Sequence, residues 1–170
     1  MGSRMALVFA LILLPIALTA CAGAPTPAPV AGSDPGALPL ELQRLVVLVN
    51  EARAESRVCG SEAFVAAAPL VLDARLTAAA QGHSDDMHAN GFMSHTGSDG
   101  SSLPERVERQ GYDWRGVAEN VARGHGSAAS VMAAWLTSPG HCANVMQPSF
   151  SALGVGLSGV SWTQVFAQPR

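Results

Sequence analysis

Apolar positions 42, 45, 46, 48 and 49 in LELQRLVVLVNEARA recur at helical spacing and predict a first helix over 40–54. The following ESRVCGSEAF breaks the period and reads as a loop. Asp73 is placed to cap a second helix, DARLTAAAQGHSDDMHANG, whose apolar or small positions include 76, 79, 80 and 87 and which ends at Asn90-Gly91, where a left-handed cap fits. A short third helix is predicted from Pro104 in LPERVERQG, closed by Gly111. A fourth runs from Ser127 through AASVMAAWLTS and stops at Pro139-Gly140. The period then changes: SALGVGLSGVSWTQVFAQ alternates small, β-branched and aromatic residues around Ser158-Gly159, which predicts a terminal hairpin. Helices first and strands last give an α+β class.

Ahead of the first helix the pattern has a different meaning. Arg4 is followed by MALVFALILLPIAL and then by TAC, a positive start, a short apolar stretch and a small-residue stop, which is a secretory signal. The run is shorter than the roughly 20 apolar residues that a spanning helix needs, and Pro15 interrupts it. Leu18-Thr19-Ala20-Cys21 resembles the bacterial lipobox, in which the cysteine becomes the acylated first residue; a plain signal peptide is the alternative. The expected division is a signal peptide over 1–20, an acylated Cys21 with a Pro/Ala/Gly-rich tether over 21–37, and one domain over 38–170. The mature protein is then expected in the extracytoplasmic cell envelope, anchored to a membrane by lipid on Cys21.

Charge excludes one class of partner. The net charge is −3 and every basic residue is a scattered arginine, so no basic stripe exists for nucleic acid. A monomer is expected. With Cys21 assigned to lipid, Cys59 and Cys142 remain, and in an oxidising compartment they are expected to form a disulfide closing a loop of about 80 residues. A catalytic or metal-binding thiol is the competing reading, without a CxxC spacing or a third thiol to support it.

Gly154-Val155-Gly156-Leu157-Ser158-Gly159 fits G-x-G-x-x-G literally, but the dinucleotide fingerprint needs a following helix and second strand that the remaining chain lacks. Those glycines fit close backbone approach under a helix, or a bulge. There is neither a G-x-S-x-G elbow nor an HExxH helix. Three ionisable residues stand in apolar-rich surroundings: His95 in GFMSHTGSDGSS, Glu119 in GVAENVARG and His141 in SPGHCANVM. Glu119 is either solvated at a turn or held by a partner. Brought together, the three would suit a divalent metal such as zinc, or proton transfer near neutral pH; spacing alone leaves that convergence open. His83 and His88 fall on different faces of the second helix and are assigned no site role. His125 is expected in an exposed loop, Asn120 as a turn-fixing residue, and Trp114, Trp135 and Trp162 in packing.

The ordered series VNEAR, GHSDDM, FMSHTGSDGSS, ERVERQGYDWRGVAENVARG, AAWLTSPGHCANVMQPSFSALGVGL and WTQVFA resembles the bacterial branch of the CAP superfamily, the cysteine-rich secretory, antigen 5 and pathogenesis-related proteins, also called the SCP domain. The resemblance implies a three-layer α-β-α sandwich with a small antiparallel sheet, and a cleft where two His and two Glu meet. Carried over, these are His95, Glu119 of A-E-N and His141, while Ser138 stands where the second glutamate would be. The resemblance leaves two functions: a binding module for a divalent metal, a lipid or a peptide, or a metal-assisted, protease-like hydrolase with Glu119 as its base. A structural role for the constellation is the third reading.

Overall fold

The computed structural model describes residues 1–2 and 38–170. The rest of the signal segment, the lipidation position Cys21 and the tether lie outside the described residues. No helix among the described residues is long and apolar enough to cross a membrane. Residues 38–170 fall in one compact unit.

The helices form where the caps place them. Helix α1 spans Leu40–Arg53. Helix α2 spans Ala74–Asn90, with the Asp73 carboxylate accepting from the N–H groups of Arg75 and Leu76 and Gly91 closing it at φ 71°. Helix α3, Leu103–Arg109, carries a Ser102/Glu105 capping box and a proline in its first turn. Helix α4 covers Ala128–Thr137 from Ser127. Pro139-Gly140 does end α4, but it also opens a further helix that the periodicity did not predict: α5, Pro139–Met146, with Pro139 in its first turn, where its missing N–H costs nothing.

Among the described residues six strands complete the fold: β1 Arg57–Cys59, β2 Glu62–Phe64, β3 Val71–Leu72, β4 Trp114–Arg123, β5 Ala152–Ser158 and β6 Ser161–Pro169. The segment read as a loop contains the antiparallel β1–β2 hairpin. The expected terminal hairpin is β5–β6, paired from Ala152↔Ala167 to Ser158↔Ser161 around Gly159. The main sheet has the order β3-β5-β6-β4 and is antiparallel except that β3 runs parallel to β5. Strand β4 was not foreseen. Its two faces are both covered, with Val117 toward one helical layer and Ala118 and Ala122 toward the other, and its polar residues Glu119 and Asn120 fall on adjacent positions, so no alternation of period two marks the strand.

The sheet separates two helical layers. On one face Leu45, Val131, Trp135, Val145, Val155 and Phe166 join α1, α4 and α5 to the sheet. On the other Leu76, Ala80, Val107, Val165 and Ala167 join α2 and α3 to it. Alternate residues of β6 supply both, which makes this the α-β-α sandwich. The guanidinium of Arg53, fully buried at the end of α1, donates to the carbonyls of Ala68, Val145, Gln147 and Phe150 and thereby fixes the exit of α5.

The glycine string in β5 now has its explanation. A Cβ on Gly154 would collide with the backbone of Leu76, and one on Gly156 with the backbone of Ala80, because α2 lies directly on the strand. Gly154→Ala is therefore expected to lower unfolding free energy by about 2–3 kcal/mol, read as a lower urea midpoint at unchanged m-value.

Candidate functional site

Glu119 lies in the middle of β4, and its side chain is only 2% exposed. Two partners divide its carboxylate. Oε1 accepts from Nδ1 of His95 at 2.8 Å, and Oε2 accepts from Nη2 of Arg106 at 2.7 Å. The alternative of a solvated turn is thus excluded. His95 sits on the loop after α2 with its ring 60% exposed. Its Nδ1 donates to the carboxylate, which leaves Nε2 as the second polar atom of an exposed ring.

Arg106 is the residue that sequence reasoning missed. Its side chain is 9% exposed, and Nη1 also donates to the carbonyls of His95 and Ser101, so one guanidinium ties the loop to the carboxylate. Its neighbour Val107 is fully buried, yet ERVER reads as a solvated helix because charges flank it. His83 was missed as well. It does face away from the exposed His88, as expected, but its ring is buried with Nε2 donating to the Ser94 carbonyl at 2.8 Å and lying 3.9 Å from Glu119 Oε1. Its place on the inward stripe with Leu76, Ala80 and Met87 was the available signal.

His141, the third residue of α5, stands on the adjoining wall. The helix is held against the edge strand β4 by amides: Asn144 Nδ2 donates to the Glu119 carbonyl and to Asn120 Oδ1, and Asn120 Nδ2 donates to the His141 carbonyl and to Gln164 Oε1. Asn120 therefore fixes a strand to a helix rather than a turn. Trp135 Nε1 donates to the Val121 carbonyl on the same edge. Cys142, next to His141, is disulfide-bonded to Cys59 of β1. Below His141 lies a cavity of about 270 Å³ lined by Met93, Val121, Trp135, Ser138 and His141 among others. His125 also contributes to that wall and is half-buried rather than fully exposed, its carbonyl accepting from Trp162 Nε1. Trp135 and Trp162 are core residues, and Trp114 is partly buried against the α2 layer.

Burial lowers the pKa of His83, with Glu119 opposing, and lowers that of His141, helped by the charge of His95. The unfolded chain then binds more protons than the folded one below the ordinary imidazole value of about 6.5, so stability is unaffected above it and declines as pH falls beneath it. Unfolding free energy is expected to fall as the pH drops from 7 to 5, and His83→Gln is expected to flatten that slope in urea titrations.

The geometry bears on a metal. Both Glu119 oxygens are engaged, one by a cation, and among the described residues no three His, Cys, Asp or Glu side chains gather into a metal-sized set. The three-ligand site of His95, Glu119 and His141 does not fit this arrangement.

Residues 46–167 match the family described as the Cysteine-rich secretory protein family, CAP. The chain belongs to the CAP family. Among curated proteins it is 33% identical over 100 residues to the uncharacterized protein YkwD of Bacillus subtilis, covering 58% of this chain and 39% of that one. It is also 33% identical over 85 residues to the uncharacterized membrane protein YlbC of the same organism, covering 50% and 25%. The chain thus spans well under half the length of these CAP relatives. Among solved structures it resembles an extracellular protein containing a SCP domain from Bacillus anthracis, at 31% identity and TM-score 0.59 over 60% of this chain and 34% of that one. It shares its fold with an outer surface protein of Borrelia burgdorferi, at 19% identity and TM-score 0.62 over 76% and 93%. In this CAP chain Ser138 ends α4 and precedes α5, lining the same cavity as His141.

Proposed function

We propose that the chain is an extracytoplasmic binding module whose ligand seats an apolar group in the cavity beneath His141 and meets the imidazoles of His141 and His95 beside it. The cavity carries this reading: about 270 Å³, walled by Met93, Val121, Ala122, Ala134 and Trp135, with Arg123, His125, Ser138 and His141 as its polar groups. Placement outside the cytoplasm is supported by the leader-like N-terminus and by the extracellular description of the Bacillus anthracis relative. Anchoring by lipid on Cys21 belongs to the same reading and rests on the lipobox-like Leu18-Thr19-Ala20-Cys21.

Hydrolysis by Glu119 is the weaker reading. A general base must reach a water, and this carboxylate is 2% exposed with each oxygen already bonded. Calorimetric titration of decanoate and of an apolar dipeptide into the full chain tests the proposal. Saturable binding is expected for one of them, abolished by Ala134→Trp. Absence of both heats removes the binding reading. Zinc titrated alone is the counter-test: heat lost in both His95→Ala and His141→Ala would make the cleft a two-imidazole metal site.

A further inference from the structure

The cavity beneath His141 has an electrically one-sided wall. Its polar side chains are Arg123, His125, Ser138 and His141, and no aspartate or glutamate joins them. Among the described residues none of these four side chains makes a hydrogen bond or an ion pair. The Trp162 indole and the Asn120 amide reach only the backbone carbonyls of His125 and His141, and Ser138 starts α5 without a side-chain cap. The Glu119 carboxylate, on the same strand as Arg123, is committed to His95 and Arg106. A second cavity, of about 320 Å³ between α2 and α3, is the reverse case: its Asp99 pairs with its Arg109, and its Arg106 pairs with Glu119. An apolar hollow rimmed by an unpaired guanidinium and free of acids favours a ligand whose apolar group carries a negative charge.

Resting on the binding reading above, we propose that this site takes the C-terminal residue of a peptide, its apolar side chain in the cavity and its terminal carboxylate against Arg123. The guanidinium cannot lose its proton, so the rim carries one permanent positive charge, which matches a monoanion. Its planar fork also fits the two oxygens of a carboxylate. Size points the same way. The cavity holds roughly nine waters at about 30 Å³ each, room for one apolar side chain beside its carboxylate. The acyl tails of a membrane lipid would leave most of their methylenes in water. Met93 in the same wall is 58% exposed, so the mouth opens to solvent, where the preceding residues of the peptide continue. Capture of a chain terminus by a fixed positive group is a recurring mode of peptide recognition.

The test is calorimetric titration of the full chain with N-acetyl-leucyl-phenylalanine, with its C-terminal amide and with decanoate, in the parent, Arg123→Gln and Arg123→Lys. Arg123 is exposed, so both variants should keep the parent's urea midpoint. The acid peptide is expected to bind about fivefold more tightly than the amide, and the gap should narrow as salt rises from about 0.05 to 0.5 M. Arg123→Gln should erase the gap, and Arg123→Lys should keep part of it. An amide that binds as tightly as the acid, or a gap undiminished in Arg123→Gln, would overturn the carboxylate assignment and leave the binding reading standing. Decanoate bound with neither peptide bound would overturn the peptide assignment alone. Absence of heat from all three ligands would remove the binding reading itself, and this inference with it.

Discussion

Replacing Glu119 by alanine is expected to cost about 3–5 kcal/mol of stability, because it strands the Arg106 guanidinium in the interior. That side chain is 9% exposed, and its remaining acceptors are the His95 and Ser101 carbonyls, which do not neutralise it. The carboxylate also holds the loop carrying His95, so the loop should loosen together with the global loss. The arithmetic of paired charges supplies the control. Exchanging both partners for apolar groups, as Glu119→Met with Arg106→Leu, removes the uncompensated charge and should recover most of the loss. Urea denaturation of the two single variants and the double variant gives the coupling. A double variant no better than Glu119→Ala alone would show that the pair is not a unit.

Opening the Cys59–Cys142 bridge is expected to cost a similar amount, about 4–5 kcal/mol in the chain-entropy account, because it closes a sequence separation of 83. Both cysteines are buried, so the sulfurs also contribute to the packed layer between β1 and α5. The double variant Cys59→Ala, Cys142→Ala should show the loss in urea, and reducing agent should produce it in the parent and not in the variant. His141 directly precedes Cys142. The cavity under His141 should therefore lose its shape before the sheet melts, visible as lost ligand binding at denaturant concentrations where the far-ultraviolet signal is intact.

The residues that were legible in the sequence are those whose local chemistry decides their structure. Asp73 and Ser127 cap helices, Pro104 opens one and Gly91 closes one, as their side chains or backbone freedom require. Gly154 and Gly156 could be separated from a phosphate loop because the chain continues from them as strand. Strand β4 was not legible, since covering both faces erases the alternation that signals a strand. Helix α5 was hidden because proline both stops and starts helices. At the site, His95 and Glu119 stood out by context, and the structure puts them in contact. Arg106 and His83 did not, because a charge is recognised as buried only when its tertiary partner is known. The pairing of Glu119 with a guanidinium is the difference between an expected metal ligand and an internal ion pair.

On the outer edge of β4 the Asn144 amide and the Trp135 indole occupy the Glu119 and Val121 carbonyls. Those carbonyls cannot template an incoming chain. The opposite margin of the sheet, β3, is two residues long and offers little to extend. Crowded copies should therefore resist edge-to-edge polymerisation, and seeding with preformed amyloid of other proteins should leave this one in solution.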